Sequence, residues 1–101
     1  MCTLTVYKSA DRLLATMNRD EALTRAPEKP PHVHDIPCGG QWVAPHDSAK
    51  GGTWMGANSY GVIACLLNAY LPGESLLPDT TGRFSSRGEI IPAVLESGNV
   101  E

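Results

Sequence analysis

Two patterns in the chain predict an α+β fold. Short stretches rich in β-branched and aromatic residues, broken by glycine, proline and asparagine, recur as far as Asn68. One helical spacing of apolar residues then appears near the C-terminus. The composition agrees: 101 residues, 42% hydrophobic and 19% charged, suit one globular domain or part of one.

The elements follow in order. Cys2 to Tyr7 alternates and predicts a strand. Lys8-Ser9-Ala10-Asp11 is a turn, and Leu13 to Met17 is a second strand, joined to the first as an antiparallel hairpin. The box Asn18-Arg19-Asp20-Glu21 falls at the far end of that second strand. In a hairpin the start of one strand lies beside the end of the other, so Cys2 is expected close to Arg19 and Asp20. Ala26 to Gly40 holds four of the eight prolines and is expected to be irregular. Gln41 to Ala44 is a short strand and Pro45 to Gly52 a polar loop. Thr53 to Asn58 is a strand, Ser59-Tyr60-Gly61 a tight turn, and Val62 to Asn68 an apolar strand. Leu71 to Ser85 is a long loop. Ser86 is a candidate N-cap, with Glu89 in capping-box position. A helix from about Arg87 to Glu96 presents Ile90, Ile91, Val94 and Leu95 on one face. Pro92 fits only the first turn, which moves the expected start toward Ile91. Gly98 is a natural stop.

Bulk properties exclude several classes. Formal net charge is -3 and the eight Lys and Arg are scattered, so no basic stripe marks a nucleic-acid binder. No apolar run is long enough for a transmembrane segment. The amino terminus lacks the pattern of a signal peptide. Cys2, Cys38 and Cys65 cannot all pair with one another, and their spacings match no zinc ribbon or redox motif. A reducing, cytoplasmic location with free thiols is expected.

Candidate chemistry centres on Cys2. If Met1 is removed, Cys2 carries a free α-amine of ordinary pKa about 7.7–8.0. That amine can serve as general base for the thiol of the same residue. Arg19 beside it would favour the thiolate, and Asp20 could orient Arg19 or the amine. Alternatively Cys2 is a small packing residue and the box a solvated turn. Asn68 could aim an N–H at an acyl oxygen, or simply cap a turn. His32 and His34 share a face at i and i+2, with Cys38 and His46 nearby, but no partner set completes a metal site. Gly39-Gly40 and Gly51-Gly52 fit turns better than a phosphate cradle.

Four motifs, Met1-Cys2-Thr3, Met17-Asn18-Arg19-Asp20-Glu21, Gly51-Gly52-Thr53-Trp54-Met55-Gly56 and Ser86-Arg87-Gly88-Glu89, stand in register with one family. The chain resembles the NRDE family, also called the transport and Golgi organization protein 2 family. Members are usually longer, so residues 1–101 are expected to be the N-terminal portion of a single domain. That family is similar to N-terminal nucleophile hydrolases of the choloylglycine hydrolase and penicillin V acylase type. The resemblance implies an αββα sandwich, a nucleophile at Cys2, an assisting Arg19, an amine-contacting carboxylate at Asp20 or Glu21, and oxyanion contact from Asn68. It implies either hydrolysis of a linear, non-peptide C–N amide or a non-enzymatic role in haem or acyl-lipid trafficking. No cofactor is required, with haem as a bound ligand in the second case and His32, His34 and Cys38 as its candidate axial ligands.

Overall fold

The computed structural model describes residues 2–68 and 87–98. Among them six strands form two antiparallel sheets, followed by one helix. The α+β class is as expected.

The first sheet is the hairpin of β1 (Thr3–Lys8) and β2 (Leu13–Asn18). Its register runs from Thr3 opposite Asn18 to Lys8 opposite Leu13. The turn is closed by the Ser9 N–H, which donates to the Arg12 carbonyl at 2.9 Å. The predicted pairing is therefore present.

The second sheet has the order β3 (Lys29–Asp35), β4 (Gln41–His46), β5 (Met55–Asn58), β6 (Ile63–Cys65). β3 lies within the stretch expected to be irregular. Prolines are tolerated on an edge strand, where a missing N–H breaks no central ladder. Pro30 and Pro31 sit on that edge, and the register slips between Lys29 and His32. β4 runs two residues further than expected, through Pro45. That is possible because only Trp42 and Val43 of β4 pair with β5, so Pro45 lies beyond the two-sided ladder. β5 and β6 are shorter than expected. Thr53 leaves the ladder because its N–H donates to the Gly88 carbonyl at 3.3 Å. β6 stops at Cys65, opposite Met55 where β5 begins. One residue further in the same register, the Leu66 N–H donates to the Trp54 carbonyl at 2.8 Å.

A 3-10 turn at Arg87–Glu89 leads into α1 (Ile90–Glu96). Pro92 is the third helical residue, where no intrahelical N–H bond is lost. The N-cap of α1 is Glu89, with no side-chain capping bond. Ser86 and the long loop lie outside the described residues. Gly98 follows the helix with φ +89°, the left-handed stop that glycine permits.

The helix covers one face of the second sheet. Ile91 and Leu95, four residues apart, are buried with Ile36, Trp42 and Ala44, and Val62, Ala64 and Leu66 pack around them. Ile90 was expected on this face but is 48% exposed. With Ile91 and Leu95 directed inward, a neighbour one residue earlier is rotated toward solvent. Asn58 ties the β5–β6 turn to the end of the helix. Its Nδ2 donates to the Leu95 and Gly98 carbonyls at 3.0 and 2.6 Å, while its Oδ1 accepts from Tyr60 and Val62 N–H.

Candidate functional site

The hairpin register brings two predicted site residues together. Thr3 pairs with Asn18. Cys2 and Arg19 are the next residues on each strand, and both are partly buried at the same hairpin end. Cross-strand neighbours on an antiparallel pair share a face.

Arg19 is held on three sides. Its Nη2 donates to Asp47 Oδ2 at 3.1 Å and lies 3.3 Å from Glu21 Oε1. Its Cζ stands 4.0 Å from the centroid of the Trp54 ring, a cation–π distance. Arg25 joins the cluster: it donates through Nη2 to the same Asp47 Oδ2, and its Nη1 is 3.6 Å from Glu21 Oε2. A short turn makes this possible, since the Arg25 N–H donates to the Ala22 carbonyl at 2.9 Å.

Asp47 is the hub. It is buried, and its second oxygen is occupied by its own loop. Oδ1 accepts from the Ala49 and Lys50 N–H groups at 2.9 and 3.2 Å. The loop is closed by the Asp47 N–H to the Gly52 carbonyl at 2.7 Å and by the Gly51 N–H to the Asp47 carbonyl at 2.8 Å. Burial alone would push the Asp47 carboxyl up. The Arg25 hydrogen bond, with the two loop amides, outweighs burial and brings its pKa down to about 2. In turn the Asp47 hydrogen bond raises Arg25 above its ordinary value.

Three sequence motifs thus converge. The Asn-Arg-Asp-Glu box supplies Arg19 and Glu21. The Gly-Gly-Thr-Trp segment supplies Trp54. Gly52 of that segment abuts Gly88 of the Ser-Arg-Gly-Glu motif so closely that a Cβ on Gly52 would stand 2.6 Å from Gly88 Cα. A family model described as Transport and Golgi organisation 2 matches residues 1–101. The chain belongs to the Transport and Golgi organisation 2 family. No curated protein and no solved structure matches it.

In this family member two further predicted residues are Asp20 and Asn68. Asp20 follows Arg19 in the chain and is exposed. Asn68 is exposed, three residues past β6, and so follows the second sheet rather than the hairpin. Asp47 was not anticipated from the sequence. Its signal was an aspartate opening a polar loop that closes on Gly51-Gly52, a pattern in which the side chain commonly accepts from N–H groups two and three residues on.

The candidate haem ligands lie at one edge of the second sheet. His32 and His34 lie on the exposed edge strand β3, and Cys38 is exposed in the turn that follows. The His34 ring stacks on Trp42 with centroids 4.1 Å apart. The cleft that His34 and Trp42 line with His46, Thr53 and Pro92 holds about 150 Å³. Ordinary small-molecule pockets run to roughly 300–1,000 Å³. Among the described residues no group of three or more His, Cys, Asp or Glu could hold a metal ion. Nor is any described helix long and apolar enough to cross a membrane. All three cysteines are free thiols.

Proposed function

We propose that this chain carries the nucleophile end of a cysteine amidohydrolase acting on a linear, non-peptide C–N amide. The observation that supports it is the shared hairpin end of Cys2 and Arg19, with the guanidinium fixed by Asp47 and Trp54.

The reaction would run in two halves. After removal of Met1, the Cys2 α-amine accepts the thiol proton and Sγ attacks the amide carbonyl. The S–C bond forms, the C–N bond breaks, and the proton passes to the departing amine. Water then attacks the thioester, releases the acid and restores the Cys2 thiol. Arg19 stabilises negative charge at the sulfur before attack. Asp20 contacts the α-amine, and Asn68 donates to the oxyanion.

Intact mass and turnover test this reading. The expected protein lacks Met1 and hydrolyses at least one member of a panel of N-acyl amides, with Cys2→Ser reducing turnover at least 100-fold. Retained Met1, or a Cys2→Ser variant as active as the parent, removes Cys2 from the role.

A further inference from the structure

We propose that Asp47 is a positioning residue for the Cys2 site: it anchors the Arg19 guanidinium against the Trp54 ring at the end of the hairpin. This rests on the reading of Cys2 as nucleophile, and it adds a residue from outside the conspicuous motifs.

The first ground is rigidity. An arginine side chain has many rotamers, and a cation that wanders does little for a neighbouring sulfur. Two carboxylates reach Arg19 Nη2. Glu21 is two residues away on the same connecting segment, and its side chain is 35% exposed, so it moves with Arg19. Asp47 belongs to a different loop and its side chain is 9% exposed. One of its oxygens is pinned by two loop amides, and its backbone is locked by Gly51 and Gly52. It can therefore transmit a fixed position to the guanidinium.

Charge balance is the second ground. A lone carboxylate at 3.1 Å would largely cancel the charge of Arg19. Here Arg25 donates to the same Asp47 oxygen, so the trio of Arg19, Asp47 and Arg25 keeps one net positive charge. Glu21, 3.3 Å from Arg19 and 3.6 Å from Arg25, brings the four groups to net zero, with its carboxylate on the more exposed side. Asp47 thus divides its charge between two guanidinium groups instead of cancelling Arg19 alone.

The two possible actions of Asp47 have opposite signs, which makes the test decisive. If Asp47 only neutralised Arg19, removing its charge would strengthen the cation and speed reaction at Cys2. If it positions Arg19, removal frees the side chain and slows that reaction. The measurement is the alkylation rate of each cysteine by iodoacetamide at pH 7 in the full chain, resolved by peptide mass. Cys38, exposed, is the reference thiol. Cys65, partly buried and with its thiol pushed up by burial, reports unfolding by becoming reactive.

The expected result is fast alkylation of Cys2 in the parent, roughly tenfold to a hundredfold slower in Asp47→Asn, and partly restored in Asp47→Glu. Should Asp47→Asn unfold, Trp54→Leu, which removes the ring beneath the guanidinium, is expected to slow Cys2 in the same direction. Unchanged or faster Cys2 alkylation in folded Asp47→Asn overturns the proposal, as does an unaffected Cys2 in folded Trp54→Leu. A parent Cys2 no faster than Cys38 overturns instead the nucleophile reading on which it rests.

Discussion

Asp47 shows how much one buried side chain can organise. It accepts from two guanidinium groups and two backbone amides, and its pKa lies at about 2 against an ordinary 3.8. A carboxyl whose folded value is depressed adds stability above its unfolded value, and that stability disappears as pH falls through the folded value. Asp47 therefore stabilises the chain at neutral pH and ceases to do so between about pH 4 and pH 2. With solvent screening of the partly exposed arginines the contribution is on the order of 1 kcal/mol. Urea unfolding of the parent and Asp47→Asn is expected to show a gap at pH 7 that narrows toward pH 2.5; a gap constant across that range would contradict the assignment. The sequence placed Cys2 and Arg19 at one hairpin end because strand pairing follows from local alternation and turn position. It did not disclose Asp47, because a lone aspartate in a polar loop looks like any solvated turn residue until the loop is folded against Arg19.

At the level of elements, the sequence was most informative where a pattern was local. The hairpin β1–β2, the Ser59–Gly61 turn and the stop at Gly98 all needed only neighbouring residues. It misled where partners decided the outcome. β3 exists despite Pro30 and Pro31 because an edge strand needs only one ladder. β5 and β6 are shorter than expected: Thr53 bonds to Gly88, and β6 ends at Cys65 opposite the first residue of β5. The helix start, by contrast, was legible, since Pro92 moved it toward Ile91 and the α-helix begins at Ile90. The contact of Gly52 with Gly88 joins the site loop to the start of the helix, with backbone against backbone and no room for a methyl group. Gly52→Ala is thus expected to push Gly88 away, lengthen the Thr53 to Gly88 bond and cost about 1–3 kcal/mol. Thermal melting combined with amide exchange at Thr53 checks this; an unchanged Thr53 rate would mean that the two segments are not held together there.

For the molecule as a whole, the distribution of packing divides the described residues in two. The buried apolar cluster of Ile36, Trp42, Ala44, Ile91 and Leu95 belongs to the second sheet and α1. The hairpin has no member in it, and Val6, Tyr7, Leu13 and Leu14 are each more than half exposed. Close packing within the hairpin is between its own two strands. A two-stranded hairpin alone is marginal in water, so its attachment must come from elsewhere. The cluster at its end supplies one: Arg19 leaves β2 and engages Asp47 between β4 and β5 and Trp54 just before β5. Regions with few buried apolar contacts open at lower free energy than the core. Replacing the guanidinium by an uncharged chain of similar length should therefore loosen the hairpin while leaving the sheet and helix intact. In Arg19→Met, amide exchange in β1 and β2 is expected to rise at least tenfold, with Trp42 and Ala44 in β4 unchanged. Uniform acceleration in both sheets would mean that they open as one unit. No acceleration in the hairpin would mean that contacts other than Arg19 hold it. The expected split makes the same guanidinium the fastening of the strand that begins next to Cys2.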